Sequence, residues 1–286
     1  MIVKFFQHDI RQGLVKYIGR YILAVLIGAI ACGMVDQAGE YFQQWYGQNL
    51  SIWEYGLNLF QGQSPFVFTK GSNNSFEVPM TWFMLYLCLM FCVGDYIRQD
   101  MHGFGMYMMV KSRKRSIWWC SKCVWCICVN LLYFACAWLG TLAYAWARYG
   151  EISFRDHITL ANMIYGTDFI GVGASDLLVN LLVLPLMVGI IQSLLQMILT
   201  VQYSSSAGMV VVFMMLVVSS YYGSRYLPHG YAMITRFFSS DGADALSVRF
   251  GLLYLTIWII ALWVIGYIIV RKKDASYDGL PFASHQ

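Results

Sequence analysis

The run Leu177–Val201, LLVNLLVLPLMVGIIQSLLQMILTV, contains no charged residue. A bilayer core about 30 Å thick is crossed by roughly 20 apolar helical residues, so this run is long enough to span one. It must be helical, because in lipid every backbone N–H and C=O needs a partner inside the segment. On either side lie five further runs of the same kind: about Tyr17–Val35, Met80–Ile97, Ser121–Trp146, Ala207–Tyr222 and Phe250–Val270. The whole composition agrees. Of 286 residues, 59% are hydrophobic and only 12% charged, with a mean hydropathy of +0.56. Soluble domains are about 25% charged, so an ordinary water-soluble globule, a disordered chain and a disulfide-stapled secreted module are all excluded. The expected fold is an all-α membrane protein, a single transmembrane domain over residues 1–286 with six transmembrane helices.

Charge gives the expected orientation. With the N-terminus inside, the cytoplasmic parts hold Lys4, Arg11, Lys16 and Arg20, then Arg98, Lys111, Arg113, Lys114, Arg115 and Lys122, then Arg271, Lys272 and Lys273. These are thirteen of the 19 basic residues. Only five of the 15 acids, Asp9, Asp95, Asp100, Asp274 and Asp278, accompany them. By the positive-inside rule both termini are then cytoplasmic. External loops fall at 36–79, 147–176 and 223–249. The inside holds a loop at 98–120 and a short turn, Gln202–Ser206. Residues 1–16 mix Phe5, Phe6, Ile10 and Leu14 with charges, and read as an amphipathic helix lying on the membrane surface.

Familiar chemistry is mostly absent. Gly105–Ser112, GMYMMVKS, approaches a phosphate-binding loop, but Val110 stands where glycine is required and no strand precedes it. The chain is therefore not expected to be an enzyme, and no nucleic-acid partner is expected. The eight cysteines lie in or at the ends of spans, and Cys120, Cys123, Cys126 and Cys128 fan around a helix too widely to converge on one metal ion. Polar residues do occur within spans. Gln192 and Gln196, four apart, share one helix face with Asn180 and Ser193 nearby, Asn130 sits in the third span, and Pro185 should kink the fourth. Asn130, Asn180, Gln192 and Gln196 either line a substrate path or hydrogen-bond helices to one another.

The most informative segment joins spans two and three: Val93–Lys122, VGDYIRQDMHGFGMYMMVKSRKRSIWWCSK. A charged helix end (Asp95, Arg98, Asp100) leads through Gly103 and Gly105 into an amphipathic piece. A basic cluster follows, then Trp118 and Trp119 at the level of an aromatic belt. This segment resembles the permease subunits of ABC-2-type bacterial ABC transporters. The positions that match are Gly94, Asp95, Tyr96, Asp100, His102, Gly103, Phe104, Gly105, Ser112, Arg113, Arg115, Trp118, Trp119, Ser121, Lys122, Cys123 and Trp125. Tyr55–Gly62 and Phe76–Pro79 in the first external loop also match, whereas Lys111 departs from the arginine expected there.

The resemblance implies an ABC-2 exporter-like fold in the bacterial cytoplasmic membrane, with 98–120 as the loop that docks on a separate ATPase. Asp95, Arg98, Asp100, His102, Gly103, Phe104, Gly105, Met108, Arg113 and Arg115 would couple the two proteins. It implies no cofactor on this chain, ATP and Mg on the partner, and two ATPase copies with a second permease copy. The first and fifth spans, with Gly28, Gly33 and Gly208, would form the permease contact. The cargo would be a peptide, a lipid or a hydrophobic small molecule. A membrane sensor or immunity subunit binding a peptide outside, and a secondary transporter, are the competing readings.

Overall fold

The computed structural model describes residues 2–47, 49–64, 66, 76–101, 103, 105, 107, 115–154, 174–237 and 246–272. All regular structure among them is helical. The helices are α1 Ile2–Gly13, α2 Gly19–Tyr46, α3 Ile52–Leu59, α4 Met80–Met101, α5 Arg115–Tyr149, α6 Ala174–Leu178, α7 Leu184–Gln202, α8 Ser205–Tyr221 and α9 Val248–Lys272. Five stretches are long and apolar enough to cross a membrane: Gly19–Asp36, Met80–Met101, Ser116–Tyr149, Asp176–Gln202 and Val248–Lys272. The chain is an all-α, multi-pass membrane protein. With 17 residues, α8 is apolar but shorter. At 1.5 Å per residue it reaches about 26 Å, somewhat less than a hydrocarbon core.

Several boundaries differ from those the sequence predicts. α2 does not stop near Val35 but continues to Tyr46, where Gly47 takes φ 65° and donates its amide to Gln43 O at 2.9 Å. Glycine enters this left-handed region without the Cβ penalty, which ends the helix cleanly. The segment 36–79 is thus partly helical. It also holds α3, started by a capping box in which Glu54 N–H bonds to Ser51 Oγ and Ser51 N–H to Glu54 Oε2. α5 is longer than expected at both ends. Just before Pro185 the backbone takes a π-helical turn, Val179–Val183. A proline cannot donate to the ladder and its ring crowds the carbonyl four residues back, so the preceding turn widens.

α5 packs along α2, and α7 sits centrally among α4, α8 and α9. Gly28 lies against the Ala137 backbone and Gly140 against that of Val25, so α2 and α5 touch main chain to main chain. Gly208 likewise faces the Gln196 carbonyl. The glycines Gly28 and Gly208, expected at a subunit contact, are used inside one chain, because a missing Cβ is needed wherever two helices cross this closely. One end of the bundle, here called basal, carries α1, the end of α4 and the start of α5. The opposite, distal end carries α3 and the segment after α8.

Candidate functional site

Three elements meet at the basal end around Lys122, which is fully buried. Lys122 Nζ lies 2.8 Å from Asp100 Oδ2 and also bonds Asp9 Oδ1. Asp9 comes from α1, Asp100 from the last turn of α4, and Lys122 from the second turn of α5. Asp9 accepts two further bonds, from Tyr96 OH at 2.5 Å and Ser121 Oγ at 2.6 Å. Trp118 Nε1–H donates to Asp100 Oδ2 at 2.8 Å, and His8 Nε2 stands 3.2 Å from Asp100 Oδ1. The Lys122 ammonium also sits 4.5 Å from the Tyr96 ring centroid. A buried charge is tolerated only when paired and hydrogen-bonded, and here each carboxylate and the ammonium has several partners. α1 is seated a turn further on as well. Gly13 presses on the Tyr96–Trp125 ring pair, whose centroids are 4.5 Å apart, and any Cβ there would strike both side chains.

This arrangement corrects two expectations. α1 does not simply rest on a membrane surface, since its Asp9 points into the bundle. Trp118 and Trp119 are not an interfacial belt but are buried, with Trp119 Nε1–H donating to Trp263 O at 2.9 Å and its ring against Gly266. The indole N–H found its acceptor inside the protein, where the ring also buries its full apolar area.

Of the residues expected to couple to an ATPase, Asp100 is central to this cluster. Gly105 packs directly on the Asp100 carboxylate. Gly103 and Arg98 are exposed. Asp95 lies in α4 and Arg115 opens α5. His102, Phe104, Met108 and Arg113 lie outside the described residues.

The four residues read as a possible path are buried within the chain, and three of them bond across helices. Gln192 Nε2–H donates to Tyr86 O and Gln196 Nε2–H to Met90 O, both at 2.9 Å, which ties α7 to α4. Asn130 Nδ2–H donates to Ser193 Oγ at 3.0 Å, which ties α5 to α7. Asn180, on the π-helical turn, is buried with no hydrogen-bond partner among the described residues. Of the two sequence alternatives, the geometry within one chain favours helix-to-helix bonding. Among the described residues no three His, Cys, Asp or Glu side chains group as ligands for a metal ion.

The distal end is closed by the segment after α8. Its turn Pro228–Ala232 is buried, and His229 Nε2 bonds Gln192 Oε1 at 2.9 Å beneath the edges of Trp82 and Tyr86. Burial alone pushes the His229 imidazole down to about 3, so it is neutral at ordinary pH. Arg236 reaches the end of α8, donating to Ser219 O at 2.5 Å, Ser220 O at 3.1 Å and Tyr222 O at 2.9 Å. Its Nε–H goes to Gln63 O at 3.2 Å. The guanidinium thereby caps carbonyls that have no partner in a helix's last turn, at the negative pole of its dipole. Burial lowers Arg236 to about 10, which still leaves it charged.

Sequence reading missed Asp9, His8, Lys122, His229 and Arg236 as a framework. A signal existed for one of them. At 100° per residue Asp9 falls midway between Phe5 and Gly13 on the apolar side of α1, and a carboxylate there requires a buried partner.

A family model described as "Protein of unknown function (DUF2705)" matches residues 21–276. The chain belongs to this family. No curated protein and no solved structure matches it. The DUF2705 match takes in α2 to the end of α9 and begins after α1, so Lys122 and Asp100 fall inside it while His8 and Asp9 do not.

Proposed function

We propose that this chain is the membrane-spanning permease subunit of an ABC exporter of the ABC-2 type. It moves a peptide, a lipid or a hydrophobic small molecule out of the cytoplasm, and a separate ATPase subunit hydrolyses the ATP. In this reading α8 is a sixth span, both termini are cytoplasmic, the membrane is the bacterial cytoplasmic one, and two copies enclose the path. The observation that supports it is the buried ion cluster at the base of α4 and α5. A loop that receives force from a soluble motor needs stiff ends, and Asp100 and Lys122 fix both ends of the segment bearing the permease-like motif. α1 braces the same point from the side.

The test is purification of the tagged chain from its native membrane in mild detergent. A P-loop ATPase at about one copy per chain, with hydrolysis lost when that ATPase lacks its catalytic base, is the expected result. Recovery of the chain without any ATPase, from membranes in which it is functional, would overturn the reading.

A further inference from the structure

We propose that α1 is a releasable clasp, and that its docking between α4 and α5 is one of two working states of the basal end. The cluster is arranged so that departure of α1 strands no charge. Asp100 and Lys122 remain a one-to-one pair 2.8 Å apart, with Trp118 Nε1–H still on Asp100. Asp9 and His8 both travel with α1, so both return to water together. On docking, Asp9 finds a ready set of donors in Lys122, Tyr96 and Ser121, and is fully hydrogen-bonded. In each state the ammonium keeps a carboxylate and each buried carboxylate keeps donors, as two alternative arrangements require.

The mechanical side agrees. Among the described residues, α1 is held by the Asp9 carboxylate and His8 in the cluster and by the flat face at Gly13 on Tyr96 and Trp125. Beyond Gly13 the chain passes through a single 3-10 turn, Val15–Tyr17, before α2 begins. The link is pinned to α4 where Tyr17 OH donates to Gln99 Oε1 at 2.7 Å, so α1 pivots on the N-terminal side of Tyr17. Docked, α1 locks Asp100 and Lys122 at the two ends of the segment between α4 and α5. Released, it leaves them joined to each other, with Trp118 on Asp100 and Tyr96 OH on Lys122. The clasp thus ties the position of the N-terminal helix to the setting of that segment. Its working role rests on the exporter reading, in which that segment meets the ATPase.

Spin labels at Gln7→Cys on α1 and Tyr203→Cys on the basal turn, both exposed positions, measure docking in full-length protein in nanodiscs. The background lacks native cysteines and keeps the parent melting temperature. The parent protein should give one narrow distance. Asp9→Asn, and independently the uncharged variant Gly13→Leu, should each move at least half of the population to a longer, broader distribution, with the bundle's melting temperature unchanged. A narrow distance that persists in both variants overturns the clasp. So does loss of the whole bundle in both, since α1 would then be a fixed part of the core. Adding the copurified ATPase with a non-hydrolysable ATP analogue should change the docked fraction at least twofold. An ATPase that binds and leaves the docked fraction unchanged removes the working role. Absence of any ATPase instead sinks the exporter reading, while the two variants still decide the clasp.

Discussion

His229 shows how much one side chain can reveal about the pH range a fold tolerates. Its imidazole enters a wholly buried place, bonded through Nε2 to Gln192 and pushed down to about 3 by burial. An undocked histidine titrates near 6.5. Between those values the open form of the distal segment binds a proton that the docked form refuses. Docking stability is therefore complete above about pH 6.5. It falls as the pH drops toward 3, by up to about 1.4 kcal/mol per unit. Protection factors for hydrogen exchange of residues 228–237 should fall below about pH 5 in the parent protein and stay level in His229→Gln. Equal acid sensitivity in both proteins would remove His229 as the cause. Nothing in the sequence around Pro228-His-Gly230 marked this residue. Its neighbours Trp82, Tyr86 and Gln192 come from two other helices, a long-range juxtaposition that local pattern does not encode. Asp9 was legible in principle, since a carboxylate on an apolar helix face is a local contradiction.

At the level of elements, apolar runs located the long helices among the described residues, because lipid forces a continuous backbone ladder and leaves a continuous apolar run as its trace. Ends were less legible. α2 and α5 extend past the apolar run into polar sequence, where Arg148 of α5 pairs with Asp36 at 3.0 Å and Glu40 at 2.5 Å of α2. Polar helix ends held by tertiary pairing carry no hydropathy signal. Small residues were legible as close contacts but not as to which surfaces they join. The α2–α5 seam gives a direct measurement. Gly140→Leu would drive a side chain into the Val25 backbone and should destabilise the bundle by about 1–3 kcal/mol or more. Gly19→Leu, with nothing within 4 Å of its added Cβ, should be neutral or slightly stabilising. Denaturant titration in mixed micelles compares them, and equal costs would mean that the seam is looser than the backbone contact implies.

For the molecule as a whole, the orientation expected from the charge distribution, with both termini cytoplasmic, makes a direct labelling prediction. A membrane-impermeant thiol reagent applied from outside, in a cysteine-free background, should label Glu151→Cys at the distal end. It should spare Gln12→Cys on α1. The opposite pattern would invert the orientation. The sequence carried the membrane class and the helical class. It did not carry the closure of either end. Basal closure depends on Lys122 meeting acids from two other helices. Distal closure depends on Arg236 returning to the end of α8. Both are matters of which chain segments meet, and a single sequence states composition along the chain more plainly than meetings across it.

The distal end also imposes a schedule on biosynthesis. Phe60 and Gln61 carbonyls accept the amides of Ile234 and Thr235 at 3.0 and 3.1 Å. At about 5–20 residues per second, the ribosome delivers those amides some ten to thirty seconds after α3 has emerged. Throughout that interval the nascent chain holds its first spans with one rim unfinished, and two main-chain acceptors must remain hydrated at the water boundary. α3, with its capping box, satisfies amides of its own first turn while it waits there. Integration of this protein is therefore completed from its last third, and a stalled or truncated polypeptide ending before Ile234 would leave an open rim for quality-control proteases to recognise.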